Sequence, residues 1–245
     1  METHVDEIAD HIYRLSTFVP DIGPTGFTFN QFLVDADEPL IFHTGPRAMF
    51  PLVSQALTTV MPIERLRWIT FGHLESDESG AMNLFLEAAP NAQIAHTGLG
   101  CMVSINDLAD REPRPLGPDE VIDIGGKRIR SIDTPHVPHG WDAHVLYEET
   151  TGTLFSGDIF TQLGDGPALS TGDLLDGAAN AEDVFGQTGL TSSIRHTGPP
   201  KYIGASDFTK AGASPPSTHT CESGGCLPTS GAINPVRPPI STFTT

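Results

Sequence analysis

A buried-type strand runs directly into an acidic, histidine-containing turn at residues 66–77, Leu66-Arg67-Trp68-Ile69-Thr70-Phe71-Gly72-His73-Leu74-Glu75-Ser76-Asp77. Residues at positions i, i+2 and i+4 of an extended or tightly turned backbone point to the same side. We therefore expect His73, Glu75 and Asp77 to converge at the end of this strand, where open α/β sheets place their sites. The alternative interpretation is a solvated acidic turn that continues through Glu78.

Two further loops next to strands carry side chains of the kinds that bind metals. A proline-rich loop follows the strand predicted over 127–132, Asp133-Thr134-Pro135-His136-Val137-Pro138-His139-Gly140-Trp141. The strand predicted over 153–156 ends in a glycine turn that carries Asp158. Three strand ends that present His, Glu and Asp side chains predict a metal site better than they predict an acidic surface.

The hydrophobic pattern predicts an α/β protein in which strands alternate with helices. Strand patterns occur at 12–18, 27–34, 39–42, 66–71, 93–96, 127–132, 144–148 and 153–156. Helical periodicity occurs at 47–60, at 79–89 with Ser79 as its expected cap, and at 100–109. This alternation favours a sandwich of sheets and helices over a helical bundle. The sequence contains neither a Gly-x-Gly-x-x-Gly motif nor a P-loop, so no common nucleotide-binding loop is predicted.

The amino-acid composition of the chain argues against some classes of binding partner. The chain has 245 residues and a formal net charge of −18. Such acidity argues against a nucleic-acid or anionic-membrane partner, because phosphate contacts need clustered Lys and Arg. No apolar run approaches the roughly 20 residues that cross a bilayer, and the N-terminus has no signal-peptide pattern. Three cysteines, an odd number, do not make a disulfide framework, and the sequence therefore predicts a cytoplasmic protein.

Composition also predicts a boundary within the chain. From Ser192 to Thr245, 30 of 54 residues are Pro, Ser, Thr or Gly, and Leu227 is the only leucine. We therefore predict a folded domain over residues 1–191 and an atypical, poorly packed C-terminal segment over residues 192–245. An altered reading frame after about Thr191 is one hypothesis that accounts for this break.

The order and spacing of the motifs resemble those of a known family. His73-x-Glu75-x-Asp77 is followed after 61 residues by His139 and after 18 more by Asp158. This pattern looks like the metallo-β-lactamase fold in its oxygen-binding di-iron version, found in flavodiiron proteins and their single-domain relatives. The segment 155–160, Phe155-Ser156-Gly157-Asp158-Ile159-Phe160, matches that family's bridging-aspartate loop. The resemblance covers roughly residues 8–190 and implies an αββα sandwich.

The resemblance implies a set of metal ligands, with Asp158 bridging two iron ions: His73, Glu75, Asp77, His139, Asp158 and, 60 residues further on, His219. Two other histidines are weaker candidates. His136 more readily stabilises its own loop, and His196, the alternative to His219, lies too few residues after Asp158 for the family's spacing. The hydrolase branch of this fold would read His-x-His-x-Asp-His, so Glu75 and Glu78 stand where histidines belong. A carboxylate-rich site suits iron better than zinc.

The resemblance also implies a function: a non-haem di-iron protein that binds or reduces O2 or NO. The chain has no room for a flavodoxin domain, so electrons would come from a separate electron-transfer protein. One alternative is a dinuclear metal-dependent hydrolase, with zinc as the alternative metal, in which Asp77 and a metal-bound hydroxide activate water. Another is an O2 sensor or degenerate domain without turnover. An incomplete second half would leave apolar surface uncovered, which predicts association, for example as a homodimer.

Overall fold

The computed structural model describes residues 1–185 and the pair 243–244, and these residues form two β-sheets. The first sheet has its strands in chain order: β1 (Thr3–Ala9), β2 (Ile12–Val19), β3 (Phe27–Val34), β4 (Leu40–Phe42), β5 (Trp68–Thr70), β6 (Gln93–Thr97) and β7 (Arg114–Leu116). Strands β1–β4 pair antiparallel, whereas β4–β7 pair parallel. Parallel strands share an edge at their carboxyl ends, so loops after β5 and β6 meet there.

The second sheet has the order β12-β11-β10-β9-β8. Its members are β8 (Val121–Asp123), β9 (Arg128–Asp133), β10 (His144–Glu148), β11 (Thr153–Phe155) and β12 (Phe243–Thr244). Pairing is antiparallel from β8 to β11, and β12 lies parallel to β11. The loop between β9 and β10 and the turn after β11 therefore emerge at the same end of this sheet.

Helices connect the strands on the outer faces. They are α1 (Phe50–Thr58), α2 (Ser76–Ser79), α3 (Met82–Ala88), α4 (Gly98–Gly100), α5 (Asn106–Leu108) and α6 (Leu175–Phe185). A π-helical turn, Cys101–Ile105, joins α4 to α5. Short 3₁₀ turns occur at Arg47–Met49, Ile63–Arg65 and Gly157–Phe160. Within the part of the chain described, every helix is too short or too polar to cross a bilayer.

Three apolar layers hold these elements together and confirm the predicted αββα sandwich. One core lies between the first sheet and α1 and α3. A second core lies between the two sheets, where the Phe155 ring meets Phe32 and Phe42 with centroids 5.7 and 5.5 Å apart. A third core packs α6 and the 157–160 turn against the outer face of the second sheet. The exposed apolar side chains of the 98–108 segment lie outside these cores: Leu99, Met102, Val103 and Leu108.

The structure corrects several details of the sequence-based expectations. The helix predicted over 79–89 is two helices, and Ser79 ends the first instead of capping the second. Its hydroxyl donates a hydrogen bond to the Glu75 carbonyl over 2.6 Å, which closes α2. Strands β1, β7 and β8 and helix α6 were not predicted. Composition also gave no sign of β12, which adds two residues of the predicted tail to the second sheet.

Candidate metal centre

Four predicted ligands converge where the two sheets present their loops. His73 and Glu75 follow β5 of the first sheet, His139 lies between β9 and β10, and Asp158 lies in the turn after β11. One ligand atom from each of these four residues lies within 4.8 Å of the others. Glu75 Oε2 is 3.3 Å from His73 Nε2 and 3.4 Å from His139 Nε2, and Asp158 Oδ2 is 4.0 Å from both nitrogens. Two nitrogens and two oxygens therefore face a common point.

Exposure increases steadily across this cluster. The His73 side chain is 3% exposed, those of Asp158 and His139 are 25% and 33% exposed, and that of Glu75 is 50% exposed. The His73 and His139 rings meet edge to face with centroids 4.4 Å apart. The centre is thus anchored at His73 inside the protein and opens to solvent beside Glu75.

Charge in the cluster is unbalanced without a cation. Burial lowers the pKa of His73, but the hydrogen bond and charge of Glu78 and the charges of Asp158 and Glu75 outweigh it and raise that pKa to about 10. Burial, followed by the charge of Glu78, raises the pKa of Asp158 to about 6. His73 Nε2 is buried and has no hydrogen-bond partner among the described residues. A buried imidazole nitrogen that faces two carboxylates and lacks a hydrogen-bond partner fits a site where a metal ion would take the place of the proton.

Asp77 lies outside this group of four. It is half-buried in α2, and burial together with the charges of Glu78 and Glu75 raises the pKa of its carboxyl group. The proposed sixth ligand, His219, lies outside the described residues, as do His196 and the tail boundary at 191–192. The roles of Asp77 and His219 in a second metal position therefore stay predictions.

Glu78 is a buried carboxylate next to the cluster, and the sequence analysis noted it only as a departure from the hydrolase motif. The residue is 2% exposed, and its carboxylate lies between two histidines. Oε1 is 3.1 Å from His43 Nε2, and Oε2 is 3.3 Å from His73 Nδ1. Burial raises the pKa of Glu78, but these histidines outweigh it and hold the pKa well below its usual range. In the sequence, the only hint that Glu78 lies near the ligands is its place five residues after His73, at the end of the His-x-Glu-x-Asp-Glu stretch.

The remaining histidines of the region support the loops. His144 Nε2 donates to the Phe71 carbonyl over 2.8 Å and Nδ1 accepts from the Ser131 hydroxyl, so this side chain links β5 to the second sheet. Burial lowers the pKa of His144 to about 4, although the Phe71 hydrogen bond opposes that change. His96 is buried against His144, with ring centroids 4.4 Å apart. His136 lies outside the four-residue cluster and faces the Trp141 ring.

The paired sheets, outer helices and loop-borne ligands define a metallo-β-lactamase-like domain with a carboxylate-rich metal centre. A family model described as "ODP family beta lactamase" matches residues 27–188, and the chain belongs to this family.

Curated relatives and solved structures agree with this family. Coenzyme F420H(2) oxidase from Methanothermobacter marburgensis is 29% identical over an alignment of 175 residues that covers 66% of this chain and 43% of that protein. An anaerobic nitric oxide reductase flavorubredoxin from Vibrio vulnificus is 25% identical over 140 residues, 56% of this chain and 28% of the relative. A mutant flavo di-iron protein from Thermotoga maritima superimposes with a TM-score of 0.64 at 20% identity, covering 74% of this chain and 48% of that one. The chain thus spans less than half the length of each.

Proposed function

We propose that this domain holds a pair of iron ions that bind or reduce O2 or NO. The convergence of His73, Glu75, His139 and Asp158 within 4.8 Å carries the proposal, because these groups suffice for one metal position. Asp77 and His219 would complete a second position, with Asp158 shared between the two ions. The names of the relatives support the chemistry, since they include an oxidase, a nitric oxide reductase and a di-iron protein.

The donor set favours iron over zinc. Zinc is a borderline-soft ion, and hydrolase sites with three or more imidazole ligands suit it. Here Glu75 replaces one imidazole with a hard carboxylate oxygen, which suits iron better. The carboxylates of Glu75 and Asp158 stabilise the higher charge of an oxidised ion. When bound, iron supplies the redox chemistry of O2 or NO reduction, which zinc cannot supply.

The four candidate ligands differ in how deeply they are buried, and this difference suggests a different role for each. His73 is fixed by burial and would hold the inner side of the metal position. His139 and Asp158 reach it from the second sheet, so the docking of the two sheets sets their spacing. Glu75 is the most exposed of the four and lies on the side from which a diatomic ligand would enter.

A separate electron-transfer protein would supply the electrons, since the names of the relatives denote an oxidase and a nitric oxide reductase, whose reactions need a donor. We place the protein in the cytoplasm, where reduced donors and ferrous iron occur together. Burial raises the pKa of the free Cys101 thiol to about 11, which disfavours its reactive thiolate form.

The test is elemental analysis of the protein purified from iron-replete cells, with the iron form then reduced anaerobically for the gas assays. We expect iron in preference to zinc, and we expect the reduced iron form to consume O2 or NO in a stopped-flow or electrode assay. A chemical reductant in excess separates turnover from binding alone. The Glu75→His variant is the matched control, because it restores an imidazole and should shift the preference toward zinc.

Two results would contradict the proposal. Two zinc ions and negligible iron per chain would favour the hydrolase interpretation, as would cleavage of a chromogenic ester or β-lactam by the zinc form. Iron that is bound but unreactive with both gases would contradict the redox function while leaving the metal centre intact.

A further inference from the structure

We infer that Glu78 is a positioning residue that fixes which nitrogen of His73 faces the metal, an inference that rests on the proposed metal centre. The two nitrogens of His73 have different neighbours. Nε2 faces Glu75 and Asp158, whereas Nδ1 lies 3.3 Å from the Glu78 carboxylate. A carboxylate beside Nδ1 keeps the proton on that atom and leaves the Nε2 lone pair for the metal.

Glu78 is itself held in place from several directions. Its Oε2 accepts a hydrogen bond from the backbone N–H of His73 over 2.7 Å. Its backbone carbonyl accepts from the N–H and the hydroxyl of Thr44 over 2.6 and 3.0 Å. His43 Nε2 lies 3.1 Å from Oε1. The carboxylate is therefore a rigid link between the turn after β4 and the turn that carries His73.

Gly72 makes room for this arrangement. A Cβ atom at that position would lie 3.2 Å from both carboxylate oxygens of Glu78, which is tighter than ordinary contact. Because residue 72 has no side chain, the buried Glu78 carboxylate can pack against the end of β5, next to His73 Nδ1. The motif His-x-Glu-x-Asp-Glu thus uses its last residue to orient a ligand, where the hydrolase motif has a further histidine.

The experiment compares two buried glutamates that each receive several hydrogen bonds. Glu78→Gln keeps the shape of the side chain and removes its charge. Glu148→Gln is the matched control, because Glu148 is also buried but accepts its hydrogen bonds from Thr150 and Thr151 in a turn of the second sheet. Zn(II) is the probe, and its dissociation constant is measured by competition with a chelator of known affinity.

We expect Glu78→Gln to weaken Zn(II) binding about 10- to 100-fold, the usual effect of losing a partner behind a ligating histidine. Glu148→Gln should bind zinc as tightly as the unmodified chain, even where it unfolds at lower urea. Equal zinc affinity in the unmodified chain and Glu78→Gln would overturn the role of Glu78 and leave the metal centre standing. No zinc binding by the unmodified chain would overturn the metal centre as well.

A second measurement needs no variant and decides the question if Glu78→Gln does not fold. Long-range ¹H–¹⁵N spectra of the zinc-loaded, unmodified chain report which nitrogen of each histidine carries the metal. We expect His73 to bind zinc through Nε2 with a proton on Nδ1. Zinc bound to Nδ1 of His73 would refute the inference directly.

Discussion

Replacing Phe155 with alanine should remove a large part of the stability that the contact between the sheets provides. The side chain is fully buried and its ring lies 5.7 Å from that of Phe32 and 5.5 Å from that of Phe42. Truncating such a ring costs about 3–5 kcal/mol, and we expect the upper half because strand pairing on both sides prevents the cavity from collapsing. A domain of this size is stabilised by only about 5–15 kcal/mol, so the loss would be severe.

Urea unfolding of the metal-free chain, followed by circular dichroism, measures this loss. Phe155→Leu fills most of the space but gives up two ring contacts of about 0.5–1.5 kcal/mol each, so it should cost about 1–3 kcal/mol. Trp141→Ala removes an exposed ring and should change the free energy of unfolding by less than about 0.5 kcal/mol. A loss below about 1 kcal/mol in Phe155→Ala would refute the view that this ring joins the two sheets.

Four further predictions concern the metal, the pH dependence and the assembly. His139→Ala should lose metal and His136→Ala should keep it; elemental analysis showing the reverse would mean that the other histidine of the loop is the ligand. Asp158→Asn should lower the content of both metals, and loss of only one would contradict a bridging role. The folded-state pKa of His144, about 4, lies below its ordinary value of 6.5, so unfolded chains bind more protons between these pH values. Metal-free stability should therefore fall as the pH falls from about 6.5 to about 4, and His144→Gln should flatten that slope in urea titrations. Exposed apolar side chains in the 98–108 segment should support a homodimer in sedimentation equilibrium, whereas a monomer at high concentration would refute it.

Most of the strands could be predicted because their side chains alternate or form short apolar runs. Strand β3 is an example, since its pattern marked the same range, 27–34, that the structure shows. Strand β1 escaped because its sequence, Thr3–Ala9, is mixed in polarity and lies at the sheet edge. Strands β7 and β8 have three residues each, too few to show alternation, and their sequences, Arg-Pro-Leu and Val-Ile-Asp, lack the all-apolar run that marks the equally short β4.

The ligand cluster was predictable because its residues follow local strand-end signals in a familiar order. His139 could be chosen over His136 only through spacing, and the structure places His139 in the cluster. The arrangement around Glu78 could not be predicted, because His43 is 35 positions away and reaches Glu78 only once the first sheet has formed. Local sequence identifies candidate donors, but the groups that orient them depend on long-range contacts.

The division of the four ligands between the two sheets makes the metal a cross-link in the folded chain. Two ligands belong to loops of the first sheet and two to loops of the second, and 85 positions of sequence separate His73 from Asp158. The unfolded chain cannot hold these groups together, so any ion bound here stabilises the folded state by mass action. At a free-metal concentration one hundred times the dissociation constant, the gain is about 2.7 kcal/mol. Iron supply in the cell would then set how large a margin of stability this folded chain has against unfolding.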